Sequence, residues 1–172
     1  HQNPELSMQE YHTARRIEEE LKALGIPTQR VGETGVLGIL RGKKGSGKKI
    51  VLRADIDALP IQDSKTVAYA SCNPGVMHAC GHDAHAAALI GAARALKRLE
   101  DTFGGEVDLV FQPGEEYGKG AVIFLKSGLL EGAKRSFGIH VQSGLPVGQV
   151  AMSSGPENAS VDHFTIRVTG KR

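Results

Sequence analysis

The stretch "KIVLRADID" (Lys49–Asp57) decides the fold, because it has the pattern of a buried strand that ends in two carboxylates. Its apolar run is short, which is typical of a strand covered on both faces. Strand patterns recur at Glu106–Gln112 and Ser136–Val141, and helical patterns lie between them near residues 83–99 and 120–126. Strands that alternate with helices in this way predict an α/β fold, with helices on both faces of the sheet.

The two ends of the chain have patterns of their own. Ser7 and Glu10 match the capping box Ser-x-x-Glu, which predicts that a helix begins there and ends at Gly25. Three apolar residues at alternate positions predict a half-buried strand near the other end: Phe164, Ile166 and Val168. The change of pattern predicts one domain over residues 1–155 and the start of a second over residues 156–172.

The composition excludes several classes of partner. A net charge of +2 and an aromatic content of 5%, without tryptophan, argue against a nucleic-acid-binding surface. No apolar run approaches the roughly 18 residues that a membrane span needs. Two cysteines are too few for a disulfide framework, which predicts a reducing, cytoplasmic setting.

Polar side chains collect where the predicted strands end. In open α/β sheets, ligands bind outside the carboxyl ends of the strands, so seven side chains are delivered to one edge: Asp55, Asp57, Cys80, His82, Glu115, Glu116 and His140. Thiolate, imidazole and carboxylate are together the ligands of zinc and neighbouring divalent metals, and this set is large enough for two ions. Because adjacent side chains diverge, one of Glu115 and Glu116 can bind metal while the other acts as a general base.

Three interpretations of "MHACGHDAHAA" (Met77–Ala87) stay open at this point. The stretch is compatible with metal ligands, with a Cys80 nucleophile that has His82 as its base, and with a simple helix start. A nucleophile would leave Glu116 and His140 without a role, so the conjunction of separate loops favours metal. Three further side chains are candidates for supporting the ligands: His78, Asp83 and His85.

Several motifs resemble one known family in order and spacing. They are "HQNPELSMQE", "LRADIDALPI", "NPGVMHACGHDAHAA", "FQPGEE" and "GIHV". Over essentially the whole chain they are similar to the metal-dependent amidohydrolase and peptidase family that contains hippurate hydrolase, N-acyl-amino-acid amidohydrolases and indole-acetyl-amino-acid hydrolases. The resemblance implies a three-layer α/β/α, zinc-peptidase-like catalytic domain over residues 1–155, followed by the first strand of a smaller α+β lid and dimerisation domain over residues 156–172.

The resemblance also implies roles for individual residues. Four match the metal ligands of the family: Cys80, His82, Glu116 and His140. Glu115 matches the general base, Asp57 would orient a ligand, and Asp55 is left open. Asp83 and His85 are expected to support the site rather than to bind metal. Family members carry one further ligand histidine after the lid, in a part of the sequence that these 172 residues do not reach.

The activity implied by the resemblance is hydrolysis of the amide bond of N-acyl amino acids, with hippurate-like or N-acetyl substrates, by a water that two divalent ions activate. Zinc, manganese, nickel and cobalt are all compatible with the ligand types. A small-molecule substrate and a homodimer or larger homo-oligomer are expected for the full-length protein. Two alternatives remain, an N-acyl-diaminopimelate deacylase and, for the 172 residues alone, a catalytically inactive metal-binding fragment.

Overall fold

The structure, a computed structural model, describes residues 1–156 and 164–170. Within these residues the helices and strands all fall in one compact unit, residues 1–141. In chain order they are α1 (Tyr11–Ala23), β1 (Thr28–Val31), β2 (Gly35–Arg41), β3 (Lys49–Asp55), α2 (His82–Arg98), β4 (Glu106–Gln112), α3 (Gly120–Lys126) and β5 (Ala133–Gly138). No helix of the described residues has both the length and the apolarity needed to cross a bilayer.

The five strands form one mixed sheet in the order β1-β2-β4-β3-β5. β3 is parallel to both β4 and β5, whereas β1 and β2 are antiparallel to their neighbours. In this register Asp55 lies opposite Gln112 at the end of β4, and Arg53 lies opposite Gly138 at the end of β5. The carboxyl ends of three strands therefore meet at one edge, and the predicted α/β fold is confirmed.

Apolar side chains on the two faces of the sheet form two cores. On one face α1 and α2 cover a cluster that includes Leu109 and Phe111 of β4. On the other face α3 packs Phe124 into a cluster with Val110, which lies between Leu109 and Phe111 along β4. β4 is thus buried on both sides, which explains its nearly continuous apolar sequence. The three-layer α/β/α arrangement follows from these two cores.

Phe111 gives a test of this core. Its side chain is fully buried between Val36 of β2 and Ala54 of β3, so Phe111→Ala is expected to lower the free energy of unfolding by about 3–5 kcal/mol. Urea denaturation of the variant measures the loss. Phe137→Ala is the matched control, because the Phe137 ring on β5 is 51% exposed. Equal losses for the two variants would contradict this description of the core.

The capping box predicted at Ser7 and Glu10 is wrong. Ser7 Oγ donates to Asp57 Oδ2 at 2.6 Å, and the carboxylate of Glu10 accepts from the N–H of Gly114 at 2.8 Å. The helix begins later, at Tyr11, and the N–H groups of His12 and Thr13 donate to the carboxylate of Glu5. The local pattern failed because both side chains have tertiary partners that the sequence order does not reveal.

The C-terminal part also differs from the prediction. β5 ends at Gly138, so His140 follows the strand and does not lie within it. Three apolar residues predicted on a strand are exposed and form none: Phe164, Ile166 and Val168. A strand needs a partner for its backbone N–H and C=O groups, and the described residues of the second unit, 142–156 and 164–170, offer none. The predicted domain limits at residues 155 and 156 stay a prediction.

Candidate metal centre

The predicted site residues come from four segments at the carboxyl edge of the sheet. Asp55 and Asp57 lie at the end of β3, and Cys80 and His82 lie at the start of α2. Glu115 and Glu116 lie in the turn after β4, and His140 lies in the segment after β5. The start of α2 and the segment after β5 approach each other closely, and this approach requires a glycine at position 81. Gly81 has a φ of 81°, and a Cβ there would lie 2.3 Å from Cγ2 of Val141.

His82 is oriented by Asp57. The two side chains are buried, and His82 Nδ1 lies 3.1 Å from Asp57 Oδ1. Burial alone would raise the pKa of Asp57, but hydrogen bonds from His82, Ser7 and the backbone N–H groups of Glu116 and Glu115 hold this pKa below its usual value. Since an ionised carboxylate only accepts, Nδ1 of His82 carries a hydrogen, and the neutral form of the ring presents the lone pair of Nε2.

That lone pair points into a group of carboxylate oxygens. His82 Nε2 lies 3.7 Å from Glu116 Oε1, 3.8 Å from Asp55 Oδ2 and 3.9 Å from Glu115 Oε2. His82 Nε2 and Glu116 Oε1 are both buried without a hydrogen-bond partner among the described residues. An unsatisfied buried polar atom costs about 1–3 kcal/mol, more if it is charged. A cation between the two atoms would satisfy both, so the donor set fits a metal ion.

Cys80 and His140 form the second part of the cluster. Cys80 Sγ lies 3.3 Å from His140 Nε2, and His140 Nδ1 donates to the carbonyl oxygen of Val141 at 2.7 Å. The donor atoms of Cys80, His82 and His140 all lie within 4.8 Å of one another, as do those of His82 with the two glutamates. Thiol, imidazole and carboxylate donors thus meet around His82.

The charge around Cys80 argues against a cysteine nucleophile. Burial raises the pKa of the Cys80 thiol to about 11, and the nearby carboxylates of Glu116, Glu115 and Asp55 add to the shift. A nucleophilic cysteine needs the opposite, a lowered pKa that yields the thiolate at neutral pH. A divalent cation would reverse this balance, because it stabilises the thiolate as a ligand.

Proton release upon metal binding follows from the same shift. At pH 7 the Cys80 thiol is protonated, so its ligation must expel a proton, and the affinity should rise with pH by up to about tenfold per unit. Calorimetric titration with Zn²⁺ in buffers of different ionisation enthalpy counts the protons. We expect Cys80→Ala to release about one proton fewer than the wild type. Cys72→Ala, at an exposed free cysteine, is the control and should release the wild-type number.

His85 is placed to support the site. Its Nδ1 lies 2.6 Å from Asp55 Oδ1, and its Nε2 accepts from the N–H of Val141 at 2.9 Å. Because both ring nitrogens are engaged, His85 has no lone pair left for a metal, although Asp55, His82 and His85 lie close enough to be ligands of one ion. Through Val141 it holds the backbone next to His140. Arg53 completes this arrangement with an ion pair of 2.9 Å to Asp55.

The remaining candidates lie beside the cluster. Asp83 Oδ2 lies 2.7 Å from His1 Nδ1, so its carboxylate connects the first turn of α2 to His1. His78 is buried, and its Nδ1 has no hydrogen-bond partner among the described residues. Sequence reasoning missed the contributions of Ser7, Glu10 and Arg53. The supporting role expected for His85 agrees with its spacing three residues after His82, which places both rings on the same face of α2.

The three-layer α/β/α domain gathers a thiol, imidazoles and carboxylates at the carboxyl edge of its sheet, which is the donor set of a divalent-metal site. The model of the peptidase family M20/M25/M40 matches residues 51–170. The chain belongs to this family. The matched range contains every predicted ligand, so the family and the cluster concern the same part of the molecule.

Curated relatives agree with this assignment. The chain is 46% identical over 175 residues to thermostable carboxypeptidase 2 of Saccharolobus solfataricus, with coverage of 99% of this chain and 44% of the relative. It is 44% identical to N-acetyl-L-cysteine deacetylase of Bacillus subtilis, with coverage of 99% and 41%. For N-acyl-L-amino acid amidohydrolase of Geobacillus stearothermophilus, the identity is 42% and the coverage is 99% and 46%. The chain therefore spans less than half the length of these relatives.

A solved structure agrees as well. The Bacillus subtilis YXEP protein, described as a dinuclear metal-binding peptidase of the M20 family, superposes with a TM-score of 0.83 at 43% sequence identity. The superposition covers 86% of this chain and 42% of that protein. The likeness confirms the α/β fold predicted from the alternation of strands and helices, and with it the catalytic-domain fold that the family resemblance implied.

Proposed function

We propose that this chain carries the metal centre of a hydrolase that cleaves the amide bond of N-acyl amino acids. The observation that carries the proposal is that His82 Nε2 and Glu116 Oε1 are buried, lie 3.7 Å apart and have no hydrogen-bond partner within the part of the chain that the structure describes. Four residues would hold the metal: Cys80, His82, Glu116 and His140. Two divalent ions, of zinc, manganese, nickel or cobalt, suit the mixed donor set.

Glu115 is proposed as the general base. Its side chain is 40% exposed beside the cluster, unlike the more buried Glu116. Burial, together with the charges of Glu116 and Asp55, raises the pKa of Glu115 above its usual value. A carboxylate with a raised pKa is a better match for proton transfer near neutral pH.

The chemistry then divides between the residues. Bound divalent ions supply Lewis acidity toward a water and toward the amide carbonyl. Glu115 accepts the proton of the attacking water, and it later delivers this proton to the leaving amine. The products are a carboxylate and a free amino acid. Asp57 keeps His82 in the tautomer with a free Nε2, and His85 holds the backbone beside His140.

A substrate panel tests the proposal. It contains N-acetyl, N-benzoyl and indole-acetyl amino acids, N-acetyl-diaminopimelate, and dipeptides, because two of the relatives are named carboxypeptidases. We expect turnover of N-acyl amino acids that a chelator abolishes and that added metal restores. Preference for the diaminopimelate derivative would select the alternative deacylase. Metal binding by the chain without any turnover would select the inactive metal-binding fragment.

The cellular compartment, the small-molecule partner and the oligomeric state are also proposals. Both cysteines are free, Cys72 exposed and Cys80 within the cluster, which suits a reducing compartment such as the cytoplasm. The proposed partner is a small-molecule N-acyl amino acid, with no role for nucleic acid or membranes. We propose a homodimer or larger homo-oligomer for the full-length protein.

A further inference from the structure

The N-terminal segment, residues 4–10, contacts the segments that carry the metal-binding side chains, although it contributes no member to the donor groups of the described residues. The carbonyl oxygen of Glu5 accepts a hydrogen bond from the N–H of Ala58 at 2.8 Å. Ser7 and Glu10 bind Asp57 and Gly114 with their side chains. We propose that Ser7 and Glu10 are positioning residues of the metal centre, an inference that rests on the proposed function.

Ser7 acts on Asp57. The Ser7 side chain is buried, and its hydroxyl donates to Asp57 Oδ2 at 2.6 Å. The same oxygen accepts from the N–H of Glu116 at 3.1 Å, while Oδ1 faces His82. The Asp57 carboxylate, which follows β3, thus contacts the N-terminal segment, α2 and the turn that carries Glu115 and Glu116, called the glutamate turn below. The Ser7 hydroxyl restricts the rotation of this carboxylate and thereby the orientation of the His82 ring.

Glu10 acts on the glutamate turn. Its side chain is 0% exposed, and Oε1 accepts from the N–H of Gly114 at 2.8 Å. Oε1 also accepts from Met8 N, and Oε2 accepts from the hydroxyl of Thr34 at 2.7 Å. All three donors are neutral. Burial of a carboxylate is costly unless hydrogen bonds compensate it, and this one is buried where the turn that carries Glu115 and Glu116 begins.

A purely structural role would stabilise the fold without affecting the metal. A positioning role predicts that loss of the Ser7 hydroxyl weakens metal binding even where the chain remains folded. Residues that orient metal ligands typically change the affinity by 10- to 100-fold when removed. Ser7 acts one step further from the ligand than Asp57 does, so the lower end of this range, about tenfold, is expected for Ser7→Ala.

The test is titration of the 172-residue chain with Co²⁺, followed by the thiolate-to-cobalt absorption band of Cys80. Ser7→Ala should raise the Kd about tenfold, and Ser7→Thr, which keeps the hydroxyl, should restore tighter binding. Ser127→Ala is the matched control, because its hydroxyl donates to Phe124 O at 2.7 Å in α3, away from the sheet edge. The control should bind Co²⁺ as the wild type does.

A double-mutant cycle separates positioning from general destabilisation. In the Asp57→Asn background, Ser7→Ala should cause little further loss of affinity, because its effect passes through Asp57. The same tenfold loss in both backgrounds would overturn the proposal for Ser7. If Ser7→Ala does not fold, the Ser7→Thr variant decides: a Kd within twofold of the wild type, with the same cobalt spectrum, supports the role of the hydroxyl, and a tenfold higher Kd overturns it.

Glu10 is tested by Glu10→Ala, which removes both acceptor oxygens. The N–H of Gly114 then loses its acceptor, so the turn that carries Glu115 and Glu116 should loosen and the Kd for Co²⁺ should rise several-fold. Glu10→Gln is the matched control, because its amide oxygen can still accept from Gly114 and its NH2 group can donate to the Thr34 hydroxyl, and it should bind Co²⁺ more tightly than Glu10→Ala. An unchanged Kd in a folded Glu10→Ala variant, or equal losses in the two variants, would overturn the role of Glu10. Absence of the cobalt band in the wild-type chain is a separate outcome, which would overturn the proposed metal centre itself.

Discussion

Glu115→Gln is expected to lower kcat for amide hydrolysis about 10²- to 10⁴-fold in an active enzyme that contains this chain, while the metal content stays at the wild-type level. Glutamine has the shape of glutamate but cannot take a proton from water. The Glu115 side chain is 40% exposed and lies 3.9 Å from His82 Nε2, so the substitution disturbs little of the packing. Steady-state kinetics with N-acetyl amino acids, together with metal analysis of the same samples, measures both quantities.

The neighbouring glutamate is the matched control. Glu116 Oε1 is buried, has no hydrogen-bond partner among residues 1–156 and 164–170, and faces His82 Nε2, so Glu116→Gln should lose metal as well as activity. The two adjacent substitutions therefore separate a proton carrier from a ligand. Turnover of Glu115→Gln near the wild-type level, or loss of its metal, would show that the base has been assigned to the wrong residue.

Asp57→Asn should weaken metal binding roughly 10- to 100-fold. An asparagine has one acceptor where Asp57 uses two, one facing His82 and one that binds Ser7 and the N–H of Glu116. If its amide nitrogen faces His82, the ring must accept at Nδ1 and carry its hydrogen on Nε2, the atom that faces the carboxylates. The wrong tautomer then occupies the position of the ligand lone pair.

Calorimetric titration with Zn²⁺ at constant pH measures this loss. Asp108→Asn is the control, since Asp108 is an equally buried carboxylate of β4 that pairs with Lys49 at 2.9 Å and belongs to no donor group of the described residues. Asp108→Asn should bind Zn²⁺ with the wild-type affinity, whatever its effect on stability. Equal affinities for Asp57→Asn and the wild type would refute the orientation of His82 by Asp57.

Much of the fold could be predicted from the sequence because local patterns and tertiary packing agree there. β4 occupies the predicted range Glu106–Gln112, since its apolar run reflects burial on both faces. β1 was missed because its four residues, "TQRV", lie at the edge of the sheet and are mostly polar. β5 was predicted three residues too late, because the apolar Ile139 and Val141 that suggested a strand follow its end.

The candidate site shows a similar division. The types of its ligands and the edge at which they meet follow from the sequence, since the order of strands and helices brings the carboxyl ends of parallel strands together. The contacts of Ser7 and Glu10 with the site could not be predicted from the sequence. Glu10 and Ser7 match a helix cap in the sequence, yet their hydrogen bonds run to Gly114 and Asp57, which lie 104 and 50 residues away along the chain.

The sequence by itself determined the class of fold, the donor chemistry and the family of this protein, because these depend on residue types and on their spacing along the chain. The tertiary structure alone decided which polar atoms are engaged and which remain open. His82 and His85 are both buried histidines of α2, but Asp55 and Val141 occupy both nitrogens of His85 while Asp57 occupies only one of His82. A lone pair becomes available to a metal only where no hydrogen bond already uses it, and that depends on neighbours distant in the sequence.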